Sequence, residues 1–250
     1  MTKTKIIIQV VICLLIVSCK TEEHKFPIEK RFWSIEDYEK VTLELNYGYE
    51  NDEKLPSLDD PTTRIIVEKL TDHQNYKVVL DDEELGLKHR NGVASGFFKQ
   101  WKEMHDIYQS RDVQDNYLYG KEMLKVWHFG LGLQLKYFKL GNDEILASSD
   151  DPNSIRVKNN LNSNVNTLIS NFNIYLDEIN DENAFSEDGR KLLAAGIDTY
   201  FTELVELNPD ANFAPLERKI DLMLKKSKSD AIKTALIKVQ ALIKSKKPTV

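Results

Sequence analysis

Five histidines are the residues of this 250-residue chain best suited to acid–base or metal chemistry: His24, His73, His89, His105 and His128. None stands in an HExxH pairing or beside an acidic third ligand at ligand spacing, so no zinc site is predicted. His105, with Glu103 and Asp106 beside it, is the strongest acid–base candidate, although adjacent residues on a helix point in different directions. His128 falls inside an apolar stretch, where a hydrogen-bonded core histidine is the expected role. No nucleophile elbow, phosphate loop or dinucleotide glycine pattern occurs, and Val93-Ala94-Ser95-Gly96 lacks the leading glycine of an elbow. Asp52, Glu53, Asp59 and Asp60 carry enough carboxylate for calcium. Their spacing lacks the alternating ligands and central glycine of a helix–loop–helix calcium loop, and a solvated loop is predicted instead. The residues therefore imply no catalytic set, no metal centre and no cofactor.

A different chemistry is carried by aromatics interleaved with charge: Trp101, Tyr108, Arg111, Tyr117, Tyr119 and Trp127. Tyr, Trp and Arg are favoured at interface hot spots, so this group is a candidate partner-binding surface. The same residues at helical spacing also suit a core. The chain is acidic, with a formal net charge of -6. Its lysines lack an aromatic platform, which argues against nucleic acid as a partner. Charge is unevenly placed: from Glu217 onward there are ten Lys and Arg against three Asp and Glu. That basic end would either dock on the acidic body of the same chain or meet an external anionic partner.

The elements that would position these residues are helices. Ser34 with Asp37 three residues on is close to a capping box, and Ile35, Tyr38, Val41 and Leu45 follow at helical spacing. Asp60-Pro61 is predicted to open a second helix that continues through Ile65, Ile66 and Leu70 towards Leu80. Asn91-Gly92 reads as a turn, and a helix follows over 93–108. Residues 117–140 are the most apolar part of the chain beyond its first 19 residues, with Leu124, Trp127, Leu131, Leu135 and Phe138 on one stripe and Met123, Phe129 and Leu133 on others. A helix apolar nearly all round is expected to be central and buried. Gly130 and Gly132 would admit a close neighbour or mark a kink, and the alternation Leu131, Leu133, Leu135 also suits a strand. Gly141-Asn142 reads as the stop. A long helix to about Ile179 then carries an asparagine-rich face, Ser186 caps another ending at Asn208-Pro209, and two amphipathic helices close the chain. The fold class is mainly α: an antiparallel helical bundle built from helical hairpins.

The first 19 residues have a different character. Lys3 and Lys5 precede an apolar run, Ile6 to Val17, broken only by Gln9, and Ser18-Cys19 follows. This is the layout of a secretory signal peptide, and the run is too short to span a hydrocarbon core of about 30 Å comfortably. Ile16-Val17-Ser18-Cys19 resembles the lipobox of bacterial lipoproteins. The resemblance implies a diacylglyceryl thioether on Cys19, cleavage before it and acylation of the new N-terminus. Lys20 at the next position resembles the outer-membrane sorting signal of enterobacterial lipoproteins, and Cys-Lys-Thr-Glu-Glu is similar to the acidic export tag of Bacteroidota surface lipoproteins. Residues 1–18 are then signal, 19–33 a tether, and 34–250 a single helical domain, with 141–152 as the place where two subdomains would meet. Cys13 and Cys19 are the only cysteines, so the processed body would hold neither a disulfide nor a thiolate metal site.

An anchor, a tether and a helical body without a catalytic set lead to one expectation of function. The chain is read as a membrane-anchored envelope lipoprotein acting as a non-catalytic protein-binding module: an accessory subunit of an envelope or secretion machine, or an immunity-type protein. Its partners would be the membrane, through lipidated Cys19, and another protein. The alternatives are a lipoprotein binding a glycan, lipid or other small ligand between helices, and an enzyme of unrecognised type.

Overall fold

The computed structural model describes residues 26–109 and 116–246. The signal, Cys19, His24 and Arg111 lie outside those residues. Within them the chain is helical and no β-sheet forms. α1 (Ile35–Glu50) begins at the capping box that Ser34 and Asp37 complete: the Ser34 hydroxyl accepts from Asp37 N, and Asp37 accepts from Ser34 N at 3.0 Å. Two short helices follow, α2 (Arg64–Leu70) and α3 (Gln74–Leu80). The long pair α4 (Leu87–Gln109) and α5 (Gly120–Ala147) makes the most extensive helix–helix contact. α6 (Ile155–Tyr175) runs into a 3-10 segment, Leu176–Asp181. α7 (Glu187–Gly196) passes through a π-helical turn, Ile197–Phe201, into α8 (Thr202–Leu207), and α9 (Ala214–Lys226) and α10 (Asp230–Lys246) complete the bundle.

Side-chain bonds fix the directions of the long helices. Asn91, early in α4, donates to Glu144 late in α5 at 2.6 Å, while Trp101 Nε1 donates to Val126 O at 2.9 Å. Asn164 of α6 donates to Asn142 of α5 at 2.9 Å, whereas Glu178, beyond α6, accepts from Trp127 Nε1 at 3.2 Å. Both pairs are therefore antiparallel. One contiguous cluster of buried apolar side chains holds members from Trp33 to Ile243, on both sides of the 141–152 region.

Four boundaries differ from the sequence expectation: two yield to bonds with a neighbouring helix and two to local turn bonds. Asn91-Gly92 lies inside α4, and Gly141-Asn142 lies inside α5, which continues to Ala147. Both asparagines spend their side chains on bonds to a neighbouring helix, so their turn preference is overridden. Asp60-Pro61 forms a turn rather than a first helical turn. The Asp60 carboxylate accepts from Thr62 N, and α2 starts at Arg64. The stretch to Leu80 breaks at Thr71-Asp72-His73, where Asp72 accepts from Gln74 N at 2.9 Å and starts α3.

α5 is the axis of the bundle. All ten residues 126–135 are buried. Its glycines are slots: a Cβ on Gly130 would sit 2.0 Å from Trp101, and one on Gly132 would sit 2.7 Å from the Tyr76 hydroxyl. Trp101 cannot step aside without giving up its bond to Val126 O. Overpacking of this kind costs about 1–3 kcal/mol. Gly130→Ala is therefore expected to lower the thermal unfolding midpoint of the full-length protein by several degrees, measured by circular dichroism. An unchanged midpoint would show that the ring is free to move.

Candidate functional site

α4, α5 and the end of α6 diverge enough to leave a cleft of about 450 Å³. Helical spacing decides what lines it. Phe98, Trp101 with Lys102, His105 and Gln109 form one stripe of α4, and Trp127 and Gln134 lie seven residues apart on α5. Asn171, Ile174 and Glu178 follow the same period from α6 into the 3-10 segment, where Asp177, Asn180 and Asp181 complete the wall and Tyr117 closes one end. Trp101 and Trp127 are tilted against each other with centroids 5.5 Å apart, and His105 meets Trp127 edge-on at 4.6 Å.

The polar groups at the base of the cleft are unusual. Gln134 is fully buried, yet neither its Oε1 nor its Nε2 has a hydrogen-bond partner. Among the described residues no other side chain has two such atoms. His105 is 9 % exposed and its Nε2 is also unpartnered. Its Nδ1 lies 3.3 Å from Asp106 Oδ1, an oxygen that can only accept, so Nδ1 carries the proton and Nε2 presents a lone pair. Burial holds the ring below the ordinary histidine pKa, against the opposing pull of Asp106. The imidazole is thus neutral at pH 7. Glu178, 8 % exposed, is fixed by Trp127 Nε1. Leaving a buried amide unpaired costs about 1–3 kcal/mol. Three orphaned atoms thus belong to two residues, His105 and Gln134, that line this aromatic-walled cleft.

The sequence-predicted partner-binding residues are distributed differently from a surface patch. Tyr108 and Tyr119 are core residues that tie down the 51–63 loop: Tyr108 donates to Pro56 O at 3.0 Å, and Tyr119 accepts from Leu55 N at 3.0 Å. They are buried because that loop closes over them. Trp101 is also buried, but its ring borders the cleft beside half-buried Tyr117. Asp52, Glu53, Asp59 and Asp60 are exposed on the loop. Among the described residues no three His, Cys, Asp or Glu side chains gather as metal ligands.

His128 and His73 belong to the core behind the cleft. His128 Nε2 is 3.0 Å from the Tyr175 hydroxyl, which donates to Leu193 O at 3.2 Å, and burial pushes the His128 pKa down to about 3. His73 Nε2 sits 3.1 Å from His128 O and 3.0 Å from the Tyr200 hydroxyl on the π-helical turn. Gln134 and Glu178 were not singled out by sequence reasoning. The signal for Gln134 was present: it is the one amide between Val126 and Leu135 in a helix buried all round. Glu178 carries no such mark among 40 acidic residues.

No protein-family model matches the chain, and no curated protein or solved structure is significantly similar to it. The cleft must therefore be judged by its own chemistry. Gln134→Leu keeps the volume and removes the unpaired amide. It is expected to stabilise the protein by about 1–3 kcal/mol and raise the unfolding midpoint. A lower midpoint would mean that the amide has a protein partner.

Proposed function

We propose that this chain is a lipid-anchored bacterial envelope protein that binds a small polar ligand, without transforming it, in the cleft between α4, α5 and α6. The anchor is Cys19, within the lipobox-like Ile16-Val17-Ser18-Cys19, and the outer membrane is the proposed site. The observation that carries the binding reading is Gln134, whose amide is desolvated on both atoms at the floor of an aromatic-walled cleft. Fully satisfied, buried polar groups hold a core together; left open at a cavity, they are held ready for a ligand.

A second reading, docking of a protein partner, is favoured by one observation. Leu43 and Tyr47, one turn apart on α1, are 70 % and 53 % exposed, and Leu43 borders a groove whose far wall is Glu103, Asp106 and Ile107. Under that reading, crosslinking in the native envelope captures one stoichiometric protein that is lost in Leu43→Asp.

The test of the leading reading uses full-length protein extracted from its own envelope in mild detergent. Native mass spectrometry should find a stoichiometric small adduct on the wild type and none on Gln134→Leu. Cys19→Ala should move the protein from the membrane to the soluble fraction and abolish palmitate labelling. Absence of any adduct would sink the ligand reading; membrane retention of Cys19→Ala, with no palmitate label on the wild type, would sink the lipoprotein reading.

A further inference from the structure

α6 presents to solvent a face whose composition its own folding does not call for. Among the described residues every exposed position from 159 to 170 is Asn, Ser or Thr. These types are weaker helix formers than Ala, Lys, Glu or Gln, because their short side chains compete for the backbone in non-helical conformations. At exposed positions no packing against the bundle offsets that loss. Charge is missing as well: from Asn159 to Leu176 the sequence holds no Asp, Glu, Lys or Arg, in a chain that is 30 % charged. A shallow depression along this face is lined by α6 side chains alone. Two isoleucines bracket it, Ile155 at 79 % exposure and Ile174 at 54 %.

The face also reads the same in both directions. About a midpoint between Asn164 and Val165, Ile155 mirrors Ile174 and Asn159 mirrors Ser170. Nearer the centre, Asn162 mirrors Thr167 and Ser163 mirrors Asn166. Helical spacing keeps all these positions on less than half of the circumference. Two copies meeting antiparallel about a two-fold axis therefore set isoleucine against isoleucine and each amide against a hydroxyl. Amides and hydroxyls both donate and accept, so such a face is complementary to itself. Thr167 donates to Ser163 O within α6 at 2.9 Å, which leaves its oxygen to accept from the amide opposite. The nearest cations, Arg156 and Lys158, mirror Asn173 and Asn171, so no like charges oppose one another.

We propose that this face of α6 binds a second copy of the chain, antiparallel and two-fold symmetric, making the protein a weak homodimer. From Ile155 to Ile174 the helix is about 28 Å long, and a strip about 10 Å wide covers on the order of 300 Å². A standard interface takes about 800 Å² per partner, so α6 alone supports a transient pair. Confinement of both copies to one membrane face, by the anchor proposed above, raises their effective concentration. The pairing itself does not depend on the anchor.

The test is thiol crosslinking of purified full-length protein in mild detergent at high concentration, with a short bis-maleimide. Asn159→Cys and Ser170→Cys are prepared separately with different tags, and the wild type gives the background from Cys13 and Cys19. Mixed, the two variants should give a covalent heterodimer above that background. Each alone should give little, because its two thiols then lie towards opposite ends of the strip. Asn162→Asp with Asn166→Asp, added to both variants, should lower the heterodimer at least about fivefold at low salt, since like charges then crowd the axis. Placing those two Asp in one variant and Ser163→Lys with Thr167→Lys in the other should restore it, because each Asp then faces a Lys. All four positions are exposed, and the circular dichroism spectrum should not change. Equal crosslinking by Asn159→Cys alone, or no heterodimer above the wild type, overturns the proposal. So does a heterodimer that the paired Asp substitutions leave unaltered.

Discussion

The constraint on which this structure depends is the burial of α5 on every side. A helix of this kind has no solvent face, so each side chain from Val126 to Leu135 must be met by another element. The bundle answers with α4 along one face and α6 along another, and with α2–α3 and α7–α8 filling the remainder. Close approach is needed where rings must fit against the backbone, and the two glycines supply it for Trp101 and Tyr76. Polar groups on the same helix then have two fates. His128 finds the Tyr175 hydroxyl and becomes part of the core. Gln134 finds nothing and opens onto the cleft.

Several other buried polar residues tie segments of the core together, although Thr42, Tyr76 and Gln100 also keep a buried polar atom without a hydrogen-bond partner. Asn75, equally buried, accepts from Trp33 N at 2.8 Å and donates to the Tyr38 hydroxyl and Lys69 O. Glu122 accepts from Ser57 Oγ at 2.7 Å and from Leu58 N, pinning the acidic loop to α5. Glu182 does the same for the turn before α10, bonding Ser227 Oγ at 2.6 Å and Lys228 N. Asn75, Glu122 and Glu182 therefore serve as staples between segments distant in sequence. Gln134 staples nothing.

The helices and their apolar faces were legible in the sequence because 3.6-residue periodicity and capping serines act locally. Ser34 and Ser186 cap as their residue types suggest. Asn91-Gly92 and Gly141-Asn142 were misleading because their local preference yields to bonds across helices, which no window of sequence contains. The aromatic group was half legible. Spacing placed Trp101, Tyr108, Tyr119 and Trp127 on helical faces, but only the packing separates Tyr108 and Tyr119, under the loop, from Trp101 and Trp127, beside the cleft. Glu178 belongs to the site through a 3-10 turn that redirects the chain after Tyr175, and a change of helical pitch leaves little trace in composition.

The charge asymmetry of the chain also acquires a physical role. The basic end packs on the acidic body: Lys219 pairs with Asp177, Lys238 with Asp198 at 2.6 Å, and Lys226 donates to Asn180 at 2.7 Å. Exposed pairs of this kind contribute little stability, about 0–1 kcal/mol each. Their larger effect is on the local field. Lys219 neutralises the carboxylate at the outer edge of the cleft, while Glu178, one residue further on, turns inward to Trp127.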